Sequence, residues 1–283
     1  DLVDVFTMKE LLISLGVNIT TKNDLVFLEP SKHISTHADY ELVRKMRASI
    51  LVLGPLLARF GEAEVSLPGG CAIGLRPVDI HISALIKMGA RIDIQDGYIK
   101  AKVPGGRLVG ADITFPIISV GATENIIMAA CLAKGKTIIR NAALEPEIDD
   151  LICVLIKMGA HIMRLNMNTI EIIGVEYLKG FAHTVMSDRI EAGTYAMAAV
   201  ITSGKLKLLN AEEKYLQNVL SYLKKAGAFI KCDKGSIEIE GPKRIKTVNV
   251  KTEVYPGFPT DLQAQAMAIM TIANGNSIIE ESI

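Results

Sequence analysis

A thiol and a guanidinium sit five residues apart in the run Ser66-Leu-Pro-Gly-Gly-Cys-Ala-Ile-Gly-Leu-Arg-Pro-Val-Asp-Ile-His81, among three glycines and two prolines. Paired glycines reach backbone angles that other residues avoid, so the run reads as a loop. A cysteine in a loop beside a permanent cation, here Cys71 near Arg76, has the setting that reactive thiols need. The plainer reading makes Cys71 a small apolar residue packed under the loop, a common fate of free cysteine.

Elements that could position such a loop follow from two interleaved glycine registers. Gly16, Gly89, Gly159 and Gly227 each close an amphipathic run, as in Leu85-Ile-Lys-Met-Gly-Ala-Arg-Ile92 and Leu155-Ile-Lys-Met-Gly-Ala-His-Ile162. Glycine just past a helix is a cap signature, and recurrence at roughly 70 residues marks a tandem array. Alternating runs, Gly97 to Val103 and Ser236 to Glu240, follow the helices and read as half-buried strands. Gly61, Gly135, Gly204 and Gly275 form the second register. Two of the helices before them, Asn125 to Ala133 and Tyr195 to Ile201, are apolar nearly all round and are expected to be buried, with the polar-faced helices outside.

Fourteen residues before three of these glycines stand Arg47, Gly121 and Asp261, each at or near the start of a buried helix. In the remaining unit that place is Ile190, flanked by Asp188, Arg189 and Glu191. Helix N-termini carry unpaired N–H groups and suit phosphate. A fold that gathers these ends on one side builds a polyanion site. Ordinary capping by Ser119, Thr260 and Asp261 is the plainer reading of each one alone. The array starts and stops inside a unit, so the sequence is expected to be part of a longer chain, without partner strands at both ends.

Lys and Arg total 31 and Asp and Glu 31, so no basic excess points to nucleic acid or an anionic membrane. Hydrophobic residues make up 49%, enough for a sizeable core, yet no apolar run reaches membrane-spanning length. Asp1-Leu-Val-Asp4 does not read as a secretory leader. Cys71, Cys131, Cys153 and Cys232 form no CxxC pair, which fits a reducing cytoplasm without disulfides or structural zinc.

The string Pro68-Gly-Gly-Cys71, with Gly74, Arg76, Pro77, Val78 and Asp79, resembles the active-site loop of the EPSP synthase family. The likeness is to the enolpyruvyl transferases that act on UDP-N-acetylglucosamine. The repeat resembles the same family over essentially the whole chain. This resemblance implies an α/β fold, an inverse α/β prism of repeated βαβαββ units. It implies two domains, residues 1–185 with the loop and a partial second domain at 186–283, in a chain incomplete at both ends.

The implied reaction moves the enolpyruvyl group of phosphoenolpyruvate to the 3'-hydroxyl of UDP-N-acetylglucosamine and releases phosphate, without cofactor or metal. It would be the first committed step of peptidoglycan synthesis. By resemblance Cys71 protonates C-3 of phosphoenolpyruvate and can form a thioether at C-2. Asp261, in Phe258-Pro-Thr-Asp-Leu-Gln263, takes the proton from the sugar hydroxyl. Arg47 and Arg76 hold phosphate, carboxylate and nucleotide, as forked guanidiniums do. Arg76, Pro77, Val78, Asp79 and Ile80 match the uridine-binding segment. Ser119, Val120 and Gly121 match the diphosphate contact, and Ile283 a nucleotide-sugar contact. Fosfomycin-type epoxides would alkylate Cys71.

Two alternatives stay open: the sibling enzyme acting on a shikimate phosphate, which lacks this loop, and a non-catalytic relative that keeps the nucleotide-sugar cleft. The family's Gly-Ala-Lys-Asn-Ala stretch would precede Asp1, and Ile117 stands where relatives can carry a lysine. The sequence alone is therefore expected to be inactive and the complete chain active. His33 and His37 have helical spacing but no further metal-ligand partner, and read as solvated. His81, His161 and His183 show no partner pattern. Glu145, Glu147, Asp149 and Asp150 read as an acidic helix start.

Overall fold

The structure, a computed structural model, describes residues 2–67 and 78–283. Cys71, Arg76 and Pro77 lie outside the described residues. The chain divides into two compact units, Asp1–Ala143 with Leu151–Ala182, and Leu144–Asp150 with His183–Ile283.

The first unit opens with α1 (Val3–Ser14) and the hairpin β1 (Val17–Lys22) and β2 (Leu25–Pro30), a two-stranded antiparallel sheet. Next come β3 (His37–Ala38), α2 (Tyr40–Val43), a 3-10 turn at Arg47–Val52, and α3 (Leu53–Phe60). After β4 (Glu62–Ser66), α4 (Asp79–Lys87), β5 (Arg91–Gln95) and β6 (Tyr98–Lys102), a four-stranded sheet is complete in the order β3-β4-β6-β5. Its first pair is parallel and the others antiparallel. The pattern then repeats. β7 (Asp112–Thr114), α5 (Val120–Ala130), β8 (Lys136–Arg140), α6 (Pro146–Lys157, whose residues up to Asp150 group with the second unit), β9 (His161–Asn166) and β10 (Thr169–Ile173) give a sheet ordered β7-β8-β10-β9. Again the first pair is parallel and the rest antiparallel. The 70-residue repeat of the sequence is thus one sheet with its helices.

Burial follows the apolar patterning. Helix α5 encloses Ala122, Ile126, Ile127, Ala129 and Ala130, and α3 encloses Leu53, Leu56 and Leu57. Each large side chain taken from water contributes about 1.5–3 kcal/mol. Small residues let the two helices approach closely, and Gly54 of α3 lies directly against Asn125 of α5. Strand β6 has the expected one-sided pattern, with Ile99 and Ala101 buried between exposed lysines.

The second unit contains α7 (Arg189–Ile201), β11 (Lys205–Leu209), α8 (Glu213–Lys225), β12 (Phe229–Asp233) and β13 (Ser236–Glu240). The strands form an antiparallel sheet ordered β11-β13-β12. β14 (Val250–Lys251), α9 (Gln263–Thr271) and β15 (Ile279–Glu280) follow, with β14 and β15 paired in parallel. The core gathers Ala196, Met197 and Val200 from α7, Leu216, Leu220 and Leu223 from α8, and Ala266 and Ile269 from α9. Tyr222 donates its hydroxyl to the Ala266 carbonyl at 3.2 Å, tying α8 to α9.

Gly16, Gly89, Gly159 and Gly227 all hold the left-handed backbone, as do Gly61, Gly135 and Gly275. Gly204 departs from that register. The left-handed residue there is Ser203, at φ 52. The Ser203 hydroxyl donates to the Pro242 carbonyl at 2.8 Å and holds the turn.

Candidate functional site

The first unit gathers one group of the sequence-identified residues. Ser119 caps α5, its hydroxyl oxygen accepting from the Ala122 amide at 3.3 Å. The amides of Val120 and Gly121, one residue further into the first turn, have no acceptor among the described residues. They are the orphan donors that any helix start leaves. Helix α4 begins without a side-chain cap at Val78, with Asp79 exposed in its first turn and Ile80 buried. An acid in that turn complements the helix dipole. Arg47 is exposed and opens the 3-10 turn ahead of α3, so the start of the buried helix is a tighter turn than the register suggests.

Two residues that spacing did not single out join these elements. Asn125 is fully buried on α5 and reaches three segments at once. Its Oδ1 accepts from the Gly54 amide at 2.8 Å, and its Nδ2 donates to the Ile50 carbonyl at 3.1 Å. Nδ2 also lies 3.0 Å from Nδ1 of His81 on α4. His81 therefore does have a partner, 44 residues away in sequence, and is only 3% exposed. The signal was the asparagine: a polar side chain in a helix apolar all round must find hydrogen bonds.

Burial first, and then the positive Arg47, push the His81 imidazole down to about 4, with Asp79 opposing. The unfolded chain, with the ordinary value of 6.5, takes up this proton more readily than the fold does. The His81 contribution to stability is intact above pH 6.5 and falls away toward pH 4, by about 3 kcal/mol. His81→Gln is expected to flatten that slope. Melting curves between pH 7 and pH 4 for both proteins test it, and parallel losses would remove His81 as the cause.

The second unit holds the other group. Asp261 is exposed in the 3-10 turn Thr260–Leu262 that leads into α9. Neither Thr260 nor Asp261 caps a helix: both the turn and α9 start without a side-chain cap. The Asp261 carboxylate has no hydrogen bond or ion pair among the described residues. Glu281 organises its surroundings. It accepts from Thr252 Oγ1 at 2.6 Å, from Thr260 Oγ1 at 3.0 Å and from the Ile283 amide at 2.8 Å. Burial pulls the Glu281 carboxyl upward, but these hydrogen bonds outweigh it and leave the group below its ordinary value. Ile283 is thereby tied to the residue next to Asp261, with its own side chain exposed.

The acidic start of α6 is not free-standing. Glu147 pairs with Arg189 at 3.0 Å, and Asp150 with His183 at 2.9 Å. Arg189 also lies over the Tyr255 ring. Asp188 caps α7 through the Ile190 and Glu191 amides at 2.8 and 2.9 Å. His37 is solvent-exposed as expected, but it sits on β3 rather than in a loop, 3.5 Å from Glu64 and stacked on Tyr98.

A sequence profile described as EPSP synthase (3-phosphoshikimate 1-carboxyvinyltransferase) matches residues 1–283. The chain belongs to the EPSP synthase family. Family members named UDP-N-acetylglucosamine 1-carboxyvinyltransferase are close in sequence. One from Pelagibacter ubique is 53% identical over 280 residues, covering 99% of this chain and 67% of that protein. One from Endomicrobium trichonymphae is 57% identical over 252 residues, covering 89% of this chain and 59% of that protein. The chain thus spans about three fifths to two thirds of the length of these relatives. Among solved structures, the enolpyruvyl transferase NikO from Streptomyces tendae has a TM-score of 0.86 at 18% identity, over 99% of this chain and 67% of that one. An EPSP synthase from Acinetobacter baumannii has a TM-score of 0.65 at 20% identity, over 97% of this chain and 64% of that one. The α/β family fold expected from the repeat, with its recurring sheets and buried helices, is therefore the fold of this chain.

Proposed function

We propose that the full-length protein transfers the enolpyruvyl group of phosphoenolpyruvate to the 3'-hydroxyl of UDP-N-acetylglucosamine and releases phosphate, the committed step of peptidoglycan synthesis in the cytoplasm. The observation that carries this reading is 53% identity over 280 residues to a relative named for that reaction. The Pro68-Gly-Gly-Cys71 string supports the same branch of the family. The shikimate-phosphate branch is represented by fold neighbours at 20% identity.

In this reading Cys71 gives a proton to C-3 of phosphoenolpyruvate, leaving C-2 electrophilic, and can add there as a thioether. Asp261 takes the proton of the 3'-hydroxyl, whose oxygen adds to C-2. The tetrahedral ketal then loses a proton from C-3 and expels phosphate. Arg47 and Arg76 hold the anionic groups, and Arg76, Pro77, Val78, Asp79 and Ile80 hold the uridine. The unpaired amides of Val120 and Gly121, with Ser119, support a diphosphate contact at the start of α5. Ile283 touches the nucleotide sugar. The domains are residues 1–185 and 186–283, and the partners are the two substrates, without nucleic acid or membrane.

Phosphate release from phosphoenolpyruvate, dependent on UDP-N-acetylglucosamine, is the expected result with the full-length protein. Sugar-nucleotide binding without release would point to the non-catalytic relative instead. Fosfomycin-type epoxides are expected to add once per chain, on the Cys71 peptide, since a thiolate opens such a ring. Cys131 is the internal control: burial pushes its thiol up to about 12, so it stays inert. Peptide mass spectrometry reads the result, and an unmodified Cys71 peptide would overturn the assignment.

A further inference from the structure

We propose that His81 is a neutral hydrogen-bond donor to an anion held at the start of α5, and that Asn125 is the positioning residue that sets its tautomer. The anion is taken to be the diphosphate of the sugar nucleotide, and to that extent the inference rests on the function proposed above.

Asn125 fixes the hydrogen-bond pattern of this cluster. Its amide cannot be reversed, because Oδ1 receives the Gly54 N–H at 2.8 Å and an NH2 group there would face another donor. Nδ2 is therefore fixed opposite the Ile50 carbonyl and His81 Nδ1. One of its two hydrogens goes to each. Nδ1 must accept, so the single proton of the neutral ring resides on Nε2.

That edge of the ring, Nε2 and Cε1, lies against Gly121 in the first turn of α5. A Cβ added to Gly121 would lie 3.6 Å from Nε2 and 3.4 Å from Cε1. His81 is 3% exposed, and its Nε2 has no hydrogen-bond partner among the described residues. Beside it are the two unpaired first-turn amides of Val120 and Gly121. Three N–H donors around one helix end fit the oxygens of a phosphoryl group. Among the described residues, the groups that bias the ring's charge are Arg47 from the 3-10 turn and Asp79 from α4 itself, while α5 contributes the uncharged Asn125. With burial and Arg47 both opposing protonation, the ring donates without becoming a cation.

The test is nitrogen-15 NMR of the histidine rings in the full-length protein at pH 7, with UDP-N-acetylglucosamine as the probe. The expected wild-type His81 signal has an unprotonated Nδ1 and a proton on Nε2, and the Nε2–H resonance moves when the probe binds. Asn125→Asp replaces the donor by an acceptor, so Nδ1 is expected to become protonated. His81→Gln keeps a donor near the Nε2 position and should bind the probe within about threefold of wild type, whereas His81→Leu should bind roughly tenfold or more weakly. A wild-type proton on Nδ1 overturns the proposal and leaves the functional reading standing. So does probe binding by wild type with an unmoved Nε2 resonance, or equal affinity in His81→Leu. Failure of the wild-type protein to bind the probe overturns both.

Discussion

Replacing Asp261 by asparagine in the full-length protein is expected to lower kcat by roughly 10²–10⁴-fold while leaving the affinity for UDP-N-acetylglucosamine within about threefold. The expectation rests on what the carboxylate does not do. Thr260 and Asp261 provide no helix cap, and Asp261 has no ion pair among the described residues. The turn is held by its neighbours instead, through Thr260 and the Glu281 carboxylate at 3.0 Å. Asparagine matches aspartate in shape and keeps the turn, but it cannot take a proton at neutral pH. The loss should therefore fall on the proton-transfer step. Phosphate-release kinetics give kcat, and calorimetry with the sugar nucleotide gives Kd. A matching loss of affinity would make Asp261 a structural residue, and an unchanged kcat would remove it as the base.

The contrast between Asp261 and His81 shows what can be read along a chain. Asp261 and Gly121 are legible because the repeat places helix starts at a fixed distance before three glycines of the second register. That information is periodic and local, and most of the register glycines do hold the left-handed backbone. Where it failed, at Gly204, a serine took the conformation and paid no attention to the register, because its hydroxyl found the Pro242 carbonyl 39 residues away. The role of His81 is not legible for the same kind of reason. Its partner lies on α5, and only the packing of α3, α4 and α5 brings Gly54, Ile50, Asn125 and His81 together. Glu281 is likewise silent in the sequence, since its meaning depends on Thr252 and Thr260 arriving from other segments. Periodicity reports which face of an element is buried; it carries no record of which side chain waits on the facing element.

That dependence on helix packing makes Gly54 a sensitive position in the first unit. A methyl group there would lie 2.2 Å from Asn125 Oδ1 and 2.6 Å from the Asn125 backbone oxygen. The first contact could be relieved by a rotamer change, but the second is with the main chain of α5 and requires the helices to part. Overpacking against that oxygen, with loss of the Asn125 bonds to Gly54 and Ile50, costs about 5 kcal/mol. Alanine's better helix propensity returns about 1 kcal/mol. Gly54→Ala is therefore expected to destabilise the fold by about 4 kcal/mol, a drop in Tm of about 10 °C. Gly105 is the control, since a Cβ there meets nothing within 4 Å. Gly105→Ala should stay within about 0.5 kcal/mol of wild type. Denaturant titration of the three proteins decides the matter. If Gly54→Ala unfolds with the wild type, the α3–α5 separation is set by other contacts, and Asn125 loses its place as the residue that joins these helices to His81.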